Sequence, residues 1–172
     1  MPHIFIHLSD IHFGQEKGGL VIVNNDIKDS LIKDAQHFIS GMPERSANGI
    51  IISGDIAYAG KESEYTEAGL WLDRLTAAIG CNRFAVQVVP GNHDIDRSKI
   101  SNAAQLLTDE IAKNGDAALD KFLANEADRE ILYNKFAAYR VFAEAYDCPL
   151  DNDGNVLNHK IIEIAPNKWL KF

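Results

Sequence analysis

Ile50-Ile51-Ile52-Ser53-Gly54-Asp55 is the stretch on which the fold turns. Three β-branched residues in succession do not alternate as a strand with one wet face does, so they read as a strand covered on both faces. Such strands belong to parallel sheets, which need a long crossover on either side. Both flanks supply one. Upstream, about Asn25 to Ser40 carries Ile27, Leu31, Ala35, Phe38 and Ile39 at helical spacing, with N-cap candidates at Asn24 to Asp26 and a stop at Gly41. Before it, Ile4 to Leu8 reads as a buried strand that ends at Ser9-Asp10. Downstream, about Ser63 to Ile79 turns Ala68, Trp71, Leu72, Leu75 and Ile79 inward and stops at Gly80. Phe84 to Val89 is the third strand, ending at Pro90-Gly91-Asn92. The alternation predicts an α/β fold with a parallel βαβαβ start and right-handed crossovers.

From about Lys99 to Tyr146 the pattern is mostly helical. Its clearest piece, Ala127 to Tyr146, sets Leu132, Phe136, Tyr139, Ala143 and Tyr146 on one stripe before Pro149. Residues 98–148 are therefore a helical insertion or a cap over a site. Asp151 to Asn155 reads as a turn, His159 to Ile164 as a strand, Ala165-Pro166-Asn167 as a hairpin turn, and Trp169 to Phe172 as the partner strand. The whole of 1–172 is expected to be one domain, and the end of the sequence inside a strand suggests a truncated one.

Composition narrows the function. A chain of 172 residues with 46% hydrophobic and 24% charged residues can bury a real core. The net charge of −8 argues weakly against a nucleic-acid backbone as dominant partner, although carboxylates that bind metal lose that charge in the loaded protein. Cys81 and Cys148 form no CxxC pair, so neither a disulfide framework nor a thiolate zinc site is expected. No basic segment followed by a long apolar run opens the sequence, so the expectation is a cytoplasmic protein with no membrane partner.

Each strand ends in metal-binding chemistry. Asp10-Ile11-His12 pairs a hard oxygen with a borderline nitrogen, which suits Mn²⁺, Fe or Zn²⁺ better than Ca²⁺. Alone it reads more readily as a turn Asp beside a surface His. Gly54-Asp55, with Gly60, makes a GDxxxxG pattern whose carboxylate can bridge two ions. Gly91-Asn92-His93-Asp94 is the specific one. At roughly 5% usage per residue, four given residues in a row arise by chance on the order of once per thousand such chains. Asn92 offers an amide oxygen to a metal, His93 offers an imidazole that can take or give a proton, and Asp94 is a partner to orient it. In a parallel sheet all three strand ends gather along one edge, where open α/β sheets bind ligands.

DxH, GDxxxxG and GNHD, in this order and at these spacings, resemble the signature of the calcineurin-like metallophosphoesterase superfamily. The resemblance covers about Met1 to Asp96. It implies a β-sandwich flanked by helices and two divalent cations, Mn²⁺ foremost, with Fe, Zn or Mg as alternatives. By resemblance Asp10 and His12 bind the first metal, Asp55 bridges both, Asn92 binds the second, and His93 serves the leaving group. The implied reaction is hydrolysis of a phosphate ester, foremost a phosphodiester. Two cations roughly 3.5–4 Å apart would hold a bridging hydroxide for in-line attack, with His93 as general acid. Nucleotides and nucleic acids fall within the expected substrates, and further domains of a larger protein are compatible with the pattern. The family's later histidine ligands are not found: His159, the one histidine after His93, opens its strand rather than ending it. A phosphomonoesterase or protein phosphatase, or a catalytically silent module of the same fold, therefore stays open.

Overall fold

The computed structural model describes residues 3–15, 23–150 and 161–171. Its centre is a three-stranded parallel sheet of β1 (Phe5–Leu8), β2 (Gly49–Ile52) and β3 (Val86–Val88), in that order. The register aligns Ile6, Ile50 and Val86 in one row and Leu8, Ile52 and Val88 in another on the same side. The crossovers are α1 (Val23–Ser40) and α2 (Glu62–Ala78). Two right-handed crossovers advancing in one direction put both helices on one face. They touch there, and the Trp71 indole donates to the carbonyl of Lys28 at 3.1 Å.

α2 is the stronger anchor. Ala68, Trp71, Leu72 and Leu75, with Ile79 just beyond, are all buried as the spacing predicts. Each large apolar side chain so buried contributes about 1.5–3 kcal/mol. The expectation for α1 needs correction. Ile27 and Phe38 are 55% and 56% exposed, and the buried line runs instead through Lys28, Ile32 and Ile39. The helix is rolled so that the Lys28 ammonium lies 4.1 Å from the centre of the Phe13 ring. α1 also begins at Val23, so Asn24 to Asp26 lie in its first turn rather than at its cap.

Two strand expectations are also adjusted. β1 is half-buried rather than buried, because among the described residues it pairs with β2 alone. β3 is shorter than Phe84 to Val89: Arg83–Ala85 form a 3₁₀ turn capped by the Asn82 side chain, which leaves Phe84 exposed. Ile51 is only half-buried, so β2 is less covered on its second face.

The helical region is divided. α3 (Asn102–Asn114), α4 (Asp116–Ala124) and α5 (Glu126–Tyr133) pack on one another, with Ala118, Phe122, Leu132 and Tyr133 as a small core of their own. α6 (Ala137–Glu144) packs on α2, and Tyr139, Phe142, Ala143 and Tyr146 join the main core. The continuous helix expected over Ala127 to Tyr146 is thus broken by a 3₁₀ turn at Asn134–Phe136. The cause is tertiary: the Lys135 carbonyl accepts the Asp96 amide at 2.9 Å, and Asn134 donates to the Lys99 carbonyl.

β4 (Ile161–Ala165) and β5 (Lys168–Lys171) form an antiparallel hairpin, with Asn167 in the left-handed region at its turn. The Asp151 to Asn155 turn and His159 lie outside the described residues. No helix among the described residues is long and apolar enough to cross a membrane.

Candidate metal centre

The pairing of β1 with β2 continues into the loops that follow them. Asp10 N donates to Gly54 O at 3.3 Å, His12 N to Asp55 O at 3.0 Å, Phe13 N to Ile56 O at 2.8 Å, and Tyr58 N to Phe13 O at 3.0 Å. Within this short ladder Asp10, His12 and Asp55 have φ of 55°, 52° and 54°. That left-handed conformation costs a non-glycine residue on the order of 1 kcal/mol or more and is concentrated at functional sites. The ladder bonds, with buried Phe13, Ile56 and Ala57, hold these residues in it.

The third loop is tied to the second by Asp94. Its side chain is fully buried and accepts from the amides of Ile56 (3.2 Å), Ala57 (2.8 Å) and Gly91 (2.8 Å) and from the Tyr65 hydroxyl (2.9 Å). Burial first, and the adjacent carboxylate second, push the Tyr65 phenol far above its ordinary range, so it stays a donor. Gly91 lies so close to Asp55 that a Cβ there would strike the carboxylate. Gly60, the last residue of GDxxxxG, takes φ 66° with the backbone of Ile95 and Asp96 where its side chain would be.

These loops bring donor atoms of His12, Asp55 and His93 within 4.8 Å of one another. Asp55 Oδ1 also accepts the His93 amide at 2.9 Å. The His12 ring stands edge-on to the His93 ring, with centres 4.7 Å apart, and its Nδ1 is buried without a hydrogen-bond partner among the described residues. His93 Nδ1 donates to the Tyr58 carbonyl at 2.8 Å; a carbonyl only accepts, so this nitrogen carries the proton and Nε2 is free. Asp10 is more exposed, its carboxylate 3.9 Å from His12 Nε2. Asn92 is exposed beside the cluster.

One expected role changes. Asp94 does not orient the His93 ring, because its oxygens are taken by amides and by Tyr65, and the ring is held by Tyr58 instead. Asp94 is a positioning residue for the turn. Tyr58 and Tyr65 escaped the sequence reading; the faint signal for Tyr58 was its place inside GDxxxxG.

A family model described as calcineurin-like phosphoesterase matches residues 3–164. The chain belongs to that family. Comparison with curated proteins and with solved structures gave no match. Membership extends the resemblance past Asp96, where the motifs end, through the helices and into the hairpin. It also identifies the reaction class as metal-dependent phosphoester hydrolysis. The divalent ions of a calcineurin-like phosphoesterase fit this cluster. It offers one carboxylate and two imidazoles at ligating range, a buried ring nitrogen with no other partner, and a glycine where a side chain would crowd the carboxylate.

Proposed function

We propose that the protein hydrolyses a phosphodiester with two divalent cations, Mn²⁺ foremost, held by Asp10, His12, Asp55 and Asn92. One observation carries the reading: His12, Asp55 and His93 converge, and His12 presents a buried nitrogen with no other partner. Divalent ions held there would supply an activated water and neutralise charge on the phosphate. The bridging role goes to Asp55, a reading supported by its carboxylate lying near His12 of the first loop and accepting the His93 amide of the third. His93 acts on the leaving oxygen: with Nδ1–H held by Tyr58, Nε2 is the atom that carries the second proton of the imidazolium form and gives it to that oxygen, leaving the neutral ring with Nδ1–H still on Tyr58. The two free cysteines are consistent with a reducing, cytoplasmic setting.

The test has two parts. Elemental analysis after equilibration with Mn²⁺ and desalting should find two ions per chain. The loaded protein should hydrolyse bis(p-nitrophenyl) phosphate with a higher kcat/KM than p-nitrophenyl phosphate. The reverse preference would make it a phosphomonoesterase, and hydrolysis of neither with both metals bound would make it a silent module.

A further inference from the structure

Against His93 and Tyr58 lies a cavity of about 200 Å³, bounded also by Lys61, Ile95, Arg97 and Ser98. Its volume equals that of about seven waters at roughly 30 Å³ each, room for a planar ring system. Tyr58 is 44% exposed, an unusual use of a large aromatic ring in a site that gains nothing from apolar surface. It lies nearly parallel to the His93 ring, at 25° and 5.4 Å between centres. Of the charged groups in the wall, Lys61 is paired with Asp96 and donates to Ser98, whose hydroxyl also donates to Asp96. Arg97 is exposed, and among the described residues its guanidinium has no ion pair or hydrogen bond.

The cavity therefore offers an aromatic surface, the apolar side chain of Ile95 and one uncommitted guanidinium, next to the imidazole that serves the leaving oxygen. Those are the elements that hold a nucleobase: a face to stack on and a planar fork of donors for its ring nitrogens and carbonyls. A second phosphate is a poorer match, because the wall offers it one uncommitted cation, Arg97, while Lys61 is neutralised by Asp96. We propose that this cavity is the leaving-group subsite, that it takes a nucleobase stacked on Tyr58, and that Arg97 contacts the base edge. The substrate class is then a phosphodiester that releases a nucleoside or nucleotide. This inference rests on the phosphodiesterase reading above and can fail independently of it.

The experiment is isothermal titration of the Mn²⁺-loaded chain with AMP and with ribose 5-phosphate, which share the phosphate and differ in the base. AMP should bind at least about tenfold more tightly, the size of one base–aromatic stack. Tyr58→Leu, which keeps the carbonyl that holds His93, should reduce the preference to about twofold while leaving ribose 5-phosphate unchanged. Arg97→Ala removes an exposed, unpartnered side chain and should reduce it partly. Equal binding of the two ligands, no measurable AMP binding, tighter binding of pyrophosphate than of AMP, or a preference that survives Tyr58→Leu overturns the subsite. Hydrolysis of bis(p-nitrophenyl) phosphate by the same samples tests the reaction separately: its absence alongside an intact AMP preference condemns the phosphodiesterase reading, not the base pocket.

Discussion

Tyr65, on the first turn of α2, donates its hydroxyl to Asp94 at 2.9 Å, joining residues 29 apart in sequence. The other donors to that carboxylate are backbone amides, two from the loop after β2 and one from the turn after β3. The pair thus fastens the loops bearing Asp55 and His93 to each other and to the helix that anchors the core. A buried carboxylate with four donors is costly to disturb, because each lost bond leaves a polar group without water.

Tyr65→Phe should therefore destabilise the metal-free protein by about 1.5–3 kcal/mol, the range for a bond to a charged acceptor. Asp94→Asn should cost at least as much, since its amide nitrogen cannot accept from the donors it faces. Urea midpoints at constant slope report both. A normal midpoint for Asp94→Asn combined with lost turnover would restore a direct catalytic role to Asp94.

Asp55→Asn should weaken metal binding by at least about tenfold, measured by equilibrium dialysis. The apo melting temperature should change little, because an Asn oxygen can still accept the His93 amide. His93→Ala separates two assignments. As a proton donor it should keep both ions and lose about 10²–10⁴ in kcat. Loss of an ion would instead make it a ligand, which its closeness to His12 and Asp55 permits.

Gly91→Ala places a methyl group against the Asp55 carboxylate. It would also strike the Asp55 backbone nitrogen, so the turn itself must shift, and a destabilisation of about 1–3 kcal/mol is expected. Mn²⁺ affinity should fall with it. Unchanged Mn²⁺ affinity would show that Asp55 is free to swing away without leaving the site.

Asp96 predicts an acid response. Burial raises its pKa, but the Lys61 ammonium, the Ser98 hydroxyl and the Ser98 amide outweigh that, so the net shift is downward. Near pH 4 the unfolded chain then binds more protons than the folded one, and stability rises with pH. The contribution of Asp96 is fully present above the ordinary carboxylate range and is lost as pH falls through its lowered folded pKa. Asp96→Asn should flatten the acid limb of a urea-midpoint profile between about pH 6 and 2. An unchanged limb would mean the Lys61 pair is too solvated to matter.

Much of this was legible in the residues because it is local. A run of apolar β-branched residues, a helical stripe and a turn of Gly, Asn or Asp are each specified within a few positions. The three-stranded parallel sheet and the burial of Trp71, Leu72 and Leu75 followed from them. So did the meeting of the three motif-bearing loops, since parallel strands put their ends along one edge.

What the sequence left open depends on groups far apart in it. Periodicity could not say that Lys135 gives its carbonyl to Asp96 and breaks the helix, or that α1 rolls to lay Lys28 over Phe13. Nor could spacing assign the Asp94 carboxylate to amides and to Tyr65, leaving the Tyr58 carbonyl to hold His93. Sequence by itself determined which chemistry meets at the sheet edge. Tertiary structure alone decided which side chains there come within ligating range, which carbonyl holds the His93 ring and which carboxylate ties the loops together, because a hydrogen bond is fixed by distances of about 3 Å between atoms that chain order leaves unconstrained.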